Sequence, residues 1–306
     1  MRLGPAIMGS KQMTMLKRLF QKSNHANDGP LIANANIEEP LSLQVGFAEP
    51  KLPDPEQLLE ALRSCHRSMR NARCEMEVAQ GGNMLGLLGW EKHVIRCVGF
   101  ELPMPSQVVE SCVAASHYSE ELKQRARSHK AHMLLYYVGY DPSPLEQYVA
   151  LAATAAAMDQ LGAIAVFNEA GQTSLPSAAL SDLISDGDME NLRTLPLPLL
   201  YCGFVKHEVE GIPGVWMRTY GAPLLGLPDF AAHATGHHEG QRYFEIFDNA
   251  LTYLIDSGAH LAAGHTMQIE TDEYLRFREP RADEAFLESE GALLVVDIID
   301  SSDINR

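Results

Sequence analysis

The 306-residue chain is short of positive charge: 24 Lys and Arg stand against 40 Asp and Glu, a formal net charge of −16. Broad binding to nucleic acid or to anionic membranes needs cationic surface, so neither is expected. No run of about eighteen apolar residues is present, and no stable membrane insertion is expected. Cysteine is scarce too. The five residues Cys65, Cys74, Cys97, Cys112 and Cys202 are odd in number and widely spaced, with no CxxC pair. A chain of this length does not need a disulfide scaffold, so buried reduced thiols and a cytoplasmic location are expected. No secretory apolar segment opposes that reading. There is no GxSxG elbow and no HExxH helix. The glycine-rich stretch Gln80 to Gly89 lacks both the dinucleotide spacing and the Lys-Ser/Thr end of a phosphate loop, and reads as a hairpin.

What is present is a core-forming composition, 46% hydrophobic and 21% charged. Residues 1–24 hold Arg2, Lys11, Lys17, Arg18 and Lys22 and no acid, which leaves 19 basic against 40 acidic residues, −21, for the rest. Met15 to Phe20 is basic and amphipathic but short for a membrane-surface helix. Residues 23–40 are rich in Asn, Ala, Gly and Pro, so 1–40 are expected as a flexible basic extension and linker.

An ordered body is expected from Leu41, with an N-terminal region at 41–190 and a C-terminal one at 191–306. Leu41, Leu43 and Val45 alternate as in a strand. Asp54-Pro55-Glu56-Gln57 carries the signals of a helix start. His132 to Val138 is a continuous apolar run, the mark of a strand covered on both faces. Ser143-Pro144-Leu145-Glu146 is a capping box, opening an alanine-rich helix that Gly162 closes. Further strands are expected at 199–207, 214–220, 266–270 and 293–299, and a helix at 241–256. Strand pairs mixed with single helices indicate an α+β fold, with mixed or antiparallel sheets covered by helices and two similar-sized halves packed as one body.

Histidine supplies the candidate chemistry. His129 and His132 flank the entry to the strongest strand and are candidates for a catalytic role, without a partner constellation to support one. Asp229, His233 and His237 would share a face if helical, as metal ligands must, with His238, His260 and His265 nearby. Thr235 and Gly236 disfavour that helix, and Pro228 and Gly240 bracket a loop. No metal and no other cofactor is therefore expected. Asp297, Asp300 and Asp303 read as an acidic tail.

Several phrases together carry a family resemblance. They are Ser128-His129-Lys130-Ala131-His132, Leu161-Gly162-Ala163-Ile164-Ala165-Val166-Phe167, Leu195-Pro196-Leu197-Pro198-Leu199, Tyr220-Gly221-Ala222-Pro223-Leu224-Leu225-Gly226-Leu227-Pro228-Asp229, and Ala250-Leu251-Thr252-Tyr253-Leu254-Ile255-Asp256-Ser257-Gly258. The chain resembles uncharacterised bacterial proteins that carry the domain of unknown function 4261, over about 200–272, with 41–190 matching the region that precedes it. These motifs are apolar and glycine-based. The resemblance implies no activity and transfers no catalytic residue. His265-Thr266-Met267 departs from the Gly-Asp-Thr-like turn expected there.

The function expected is binding of another protein, steered by acidic charge toward a basic partner, without catalysis. The alternatives are a hydrolase-like or metal-dependent enzyme using His132 or the His233/His237 cluster, and a small-molecule sensor. The alanine-rich helix over 144–161 must pack closely on its sheet. Ala156→Leu is therefore expected to cost about 1–3 kcal/mol by overpacking; urea unfolding measures it, and a neutral result would place that helix face in solvent.

Overall fold

The computed structural model describes residues 29–79, 81–185, 189–287 and 291–304. The chain builds β1 (Ser42–Phe47), α1 (Pro55–Cys65), β2 (Arg73–Val78), β3 (Met84–Trp90), β4 (His93–Phe100), α2 (Ser106–Ala114), α3 (Glu120–Arg127), β5 (Ala131–Tyr137) and α4 (Pro144–Ala157). It continues through β6 (Ala163–Asn168), β7 (Thr173–Pro176), α5 (Ser177–Ser185), α6 (Glu190–Arg193) and α7 (Leu197–Leu200). The last part is β8 (Gly203–Val209), β9 (Ile212–Tyr220), β10 (Asp229–Ala234), α8 (Gly240–Ser257), β11 (Thr266–Gln268), β12 (Glu273–Arg278) and β13 (Leu293–Asp300). The class is α+β.

The first sheet runs β2-β3-β4-β5-β1-β6-β7 and is antiparallel throughout. Its centre is β5, flanked by β4 and β1, and in β1 Val45 pairs with Met133 of β5 on one side and Val166 of β6 on the other. The second sheet runs β11-β12-β13-β10-β9-β8, and only β10 and β13 are parallel, through the register Asp229↔Leu293. A parallel pair needs a long crossover. Here α8 and the β11–β12 pair fill it.

Local chemistry explains the helix ends. The Asp54 side chain accepts the Gln57 amide while Gln57 reaches back to the Asp54 amide, a full capping box ahead of Pro55. Ser143 accepts the Glu146 amide at 3.4 Å. After α4 a single 3-10 turn, Asp159–Leu161, ends at Gly162 with φ of +88°, a left-handed conformation that favours glycine. Every residue of α4 from Tyr148 to Ala157 is buried. Its alanines let α1, α5, β1 and β5 approach it closely, and Ala156 is 2% exposed. On the other face of this sheet α2 and α3 cover a smaller cluster that includes Val109, Val113 and Phe167.

The two sheets meet at a tight joint. Gly203 opens β8 against Gly171, and a Cβ on Gly203 would land on the Gly171 carbonyl oxygen. The buried Asn168 amide donates to the carbonyls of Leu200 at 2.7 Å and Tyr201 at 3.2 Å, while its oxygen accepts the Gly171 amide at 3.0 Å. The Tyr201 ring stacks on Tyr148 of α4 at 5.6 Å. One hydrophobic cluster runs through this joint from Leu41 to Val296.

Three expectations are corrected. Residues 199–202 are helical and turn rather than strand, because α7 and Tyr201 form the joint and β8 starts only at Gly203. The His-bearing segment 229–234 is strand β10, held between β9 and β13, and not a loop or helix. The linker expected to 40 is, over its described residues, an ordered strap. The Asn34 amide donates to Val138 O at 2.8 Å, its side chain to Gly139 O at 3.1 Å, and the Leu31 amide to Glu75 Oε1 at 2.7 Å. Leu31 is 5% exposed, and the Tyr140 hydroxyl donates to Ile32 O at 3.1 Å. The expectation for residues 1–28 lies outside the described residues.

Truncation through residue 40 is therefore expected to lower Tm by about 5 °C or more. It uncovers one buried leucine and several hydrogen bonds, at about 2–4 °C per kcal/mol in a chain of this size. Scanning calorimetry checks this, and a Tm within about 2 °C of the full chain would show that the strap adds no stability.

Candidate functional site

The histidines singled out in the sequence are held by backbone. His129 is buried, its Nε2 accepts the Met104 amide at 2.8 Å, and its Nδ1–H donates to Ala126 O at 2.8 Å. Both ring nitrogens are consumed, and burial holds its pKa below the usual histidine value. His132 donates from Nδ1 to Leu102 O at 2.7 Å and stacks on Phe100 at 5.1 Å. Burial lowers its pKa as well. These rings join the entry of β5 to the 102–104 segment.

The structure does not bring the proposed ligands together. Asp229 is buried at the start of β10, and its Oδ1 accepts the Thr219 hydroxyl and the Ala222 amide, each at 3.1 Å. His233 is exposed and donates from Nε2 to Pro213 O at 2.8 Å. His237 sits in the 3-10 turn His237–Glu239 with Nε2 at 3.2 Å from Glu208. His260 and His265 lie beyond α8. Among the described residues no three of His, Cys, Asp or Glu form a set able to hold a metal ion. The cysteines are free, and burial pushes Cys65 and Cys74 up to about 11 and Cys112 up to about 12. Thiols so shifted are poor nucleophiles near neutral pH.

A polar cluster with no sequence motif gathers at the carboxyl end of β5. Lys92 Nζ lies 2.7 Å from Asp141 Oδ2, and Asp141 Oδ1 accepts the Ser143 amide at 3.0 Å. The Tyr137 hydroxyl accepts the Asp141 amide at 3.0 Å and lies 3.2 Å from His93 Nδ1. Burial lowers His93 and pushes Tyr137 up to about 12. The cluster closes the β3–β4 hairpin onto the start of α4. In the sequence, this stretch is marked only by the helix start at Ser143-Pro144-Leu145-Glu146.

A broad concavity, about 1040 Å³, is a groove between α8 and the segment 259–273. Its apolar floor comes from Ile246, Ala250 and Leu254 of α8 and from Leu261, Met267 and Ile269 opposite. Glu245, Glu270 and Glu273 line it, and Arg242, the one Lys or Arg among its described lining residues, is tied to Glu273 at 2.6 Å. Tyr253 stands on its wall, 54% exposed. The groove has a firm frame. The Gly264 amide donates to Phe277 O at 2.7 Å, the Phe277 amide to His265 O at 3.0 Å, and the Gln268 side chain to Glu270 O at 3.0 Å. Between 242 and 273 the chain carries six acids and one Arg. The sequence reading missed β12, which frames this groove. Its buried residues, Leu275 and Phe277, are too few to signal a strand among Glu273, Arg276 and Arg278.

A family model described as Domain of unknown function (DUF4261) matches residues 218–295. The match is placed somewhat later than the 200–272 expected, and it spans β10, α8, β11 and β12, so the whole groove lies within it. No curated protein and no solved structure matches the chain. No helix among the described residues is long and apolar enough to cross a membrane.

Asp229 gives a testable sign. Burial pushes its carboxyl up to about 6, although the Ala222 amide and Thr219 hydroxyl favour the charged form. A carboxyl raised on folding contributes stability below its unfolded pKa and loses it as pH rises through the folded value. Asp229→Asn keeps the accepting oxygen without the charge. The variant is expected to melt higher than wild type at pH 7.5, with the gap closing toward pH 4. Thermal melts across this range test the assignment, and a variant less stable at every pH would refute it.

Proposed function

We propose that this chain is a cytoplasmic protein-binding module that takes a basic, amphipathic segment of a partner protein along the α8 groove. The observation that carries the reading is the pairing of an apolar floor with an acidic rim. The floor of Ile246, Leu254, Leu261 and Met267 favours burial of apolar side chains, at roughly 25 cal/mol per Å² removed from water. Glu245 and Glu270 favour Lys or Arg on the flanking positions of such a segment, and the charge of −16 adds long-range steering. Tyr253 suits an interface because an aromatic buries much area at small entropy cost. Catalysis has less support, since His129 and His132 are spent on backbone and Asp229, His233 and His237 do not converge.

The test uses a labelled synthetic peptide of alternating leucine and lysine, and its glutamate counterpart, in fluorescence anisotropy with the full chain. The basic peptide is expected to bind and the acidic one not. Glu245→Gln/Glu270→Gln is expected to weaken binding about tenfold and flatten its salt dependence, and Tyr253→Ala to weaken it with the salt slope kept. Equal binding of both peptides, or variants indistinguishable from wild type, would remove the groove from the reading.

A further inference from the structure

A second concavity, about 540 Å³, has the opposite charge. It lies where α1 ends against α4 and α5, and Arg63, His66, Arg67, Arg70, Gln160 and Ser181 supply its polar lining. Among the described residues no Asp or Glu lines it. Between 61 and 74 the chain carries four Arg, one His and no acid, within a molecule of net charge −16.

The arginines are presented on a firm turn. His66 ends α1 in extended conformation and its Nδ1 accepts the Ser68 amide at 3.2 Å, which starts the 3-10 turn Arg67–Met69. Met69 is fully buried beneath that turn. Residues three apart on a 3-10 turn eclipse one another, so Arg67 and Arg70 project on the same side. Arg63 is anchored by its Nε, which donates to Ala72 O at 3.0 Å and leaves the terminal nitrogens available. Elsewhere Arg127, Arg193, Arg242 and Arg278 are each ion-paired to glutamate. Among the described residues neither the Arg67 nor the Arg70 guanidinium has an ion pair or hydrogen bond. Arg63, Arg67 and Arg70 line one concavity, and an anion bound there offsets the repulsion among like charges that share it.

We propose that this concavity binds a soluble, phosphate-bearing small molecule, its phosphate held between Arg67 and Arg70 with Arg63 beside them. The planar guanidinium fork matches two oxygens of a tetrahedral phosphate at a time, which selects a multiply charged oxyanion over chloride. The volume exceeds that of a bare phosphate and falls within the range of small-molecule sites, about 300–1,000 Å³. Ala156, Ala157 and Ile184 form the apolar part of the wall and take the organic portion of the ligand. This inference is independent of the α8 groove, which is lined by other residues.

Calorimetry on the full chain with phenyl phosphate and with inorganic pyrophosphate, at matched ionic strength, tests it. Saturable binding of both at one per chain is expected. Arg67→Gln/Arg70→Gln is expected to weaken each at least tenfold, and Arg67→Lys, which keeps the charge but loses the fork, by about threefold. Arg125→Gln, at another exposed arginine, is expected to bind as wild type. Unchanged melting of the variants excludes unfolding as the cause. Absence of saturable heat in the wild type, or equal binding by the double variant, would overturn the proposal. So would cosedimentation with phosphatidylcholine vesicles containing phosphatidic acid when the free phosphates do not bind, since that would assign the arginines to a lipid headgroup.

Discussion

The arrangement of the molecule depends on one close approach of backbone to backbone. Gly203 passes Gly171 at a distance that no side chain permits, and this pass fixes where the second sheet leaves the first. Asn168 then spends its whole amide on the joint, donating to Leu200 and Tyr201 and accepting from Gly171. An amide buried this deeply is costly unless every hydrogen bond is made, so the network specifies one geometry. Tyr201, stacked on Tyr148, carries that geometry into α4. The alanines of α4 admit neighbours on all sides, and a single core spans both sheets.

Charge is segregated on this frame. The groove under α8 gathers glutamates at one end of the second sheet, while the turn after α1 gathers arginines against the first. Close ion pairs elsewhere neutralise much of the remaining surface, as with Arg193 on Glu146 at 2.6 Å and Arg278 on Glu284 at 2.6 Å. A partly exposed pair such as Arg193–Glu146 adds little stability, whereas Glu284, 7% exposed, is buried in its pair with Arg278. Unpaired charge gathered in a concavity has a different consequence. It raises the local concentration of counter-charged ligands. Acidic residues outnumber basic ones in the whole chain, so the arginine turn stands out by its surroundings as much as by its composition.

The polar groups that read as chemistry in the sequence turn out to be fasteners. His129 and His132 bond to carbonyls and amides of segments 102–104 and 126, and Asp229 bonds to Thr219 and Ala222. A histidine or aspartate is recorded in sequence only as a donor or acceptor, and the partner decides its role. The backbone partners that claim these groups come from segments up to 30 residues away in the case of His132. For His93, the Tyr137 hydroxyl lies 44 residues along the chain.

What the sequence alone determined was local. Asp54 and Ser143 mark helix starts because their side chains reach amides three residues ahead, and Gly162 marks a stop because its φ is positive. The apolar run at 132–138 reads as a buried strand because both of its faces are covered, and 131–137 is that strand. The α+β class follows from such elements in series. Tertiary structure decided the rest. Residues 29–40 have few large apolar groups, yet they lie ordered on the end of the first sheet because Val138, Gly139 and Glu75 offer partners to their amides. The strand β12 exists because β13 pairs with it along Glu273 to Arg278. The groove and the arginine concavity are likewise products of packing. The groove is lined by α8 and the segment that follows it in the crossover between β10 and β13, and the concavity by α1, α4 and α5 where they pack on one another, and no local spacing in the chain encodes those distances.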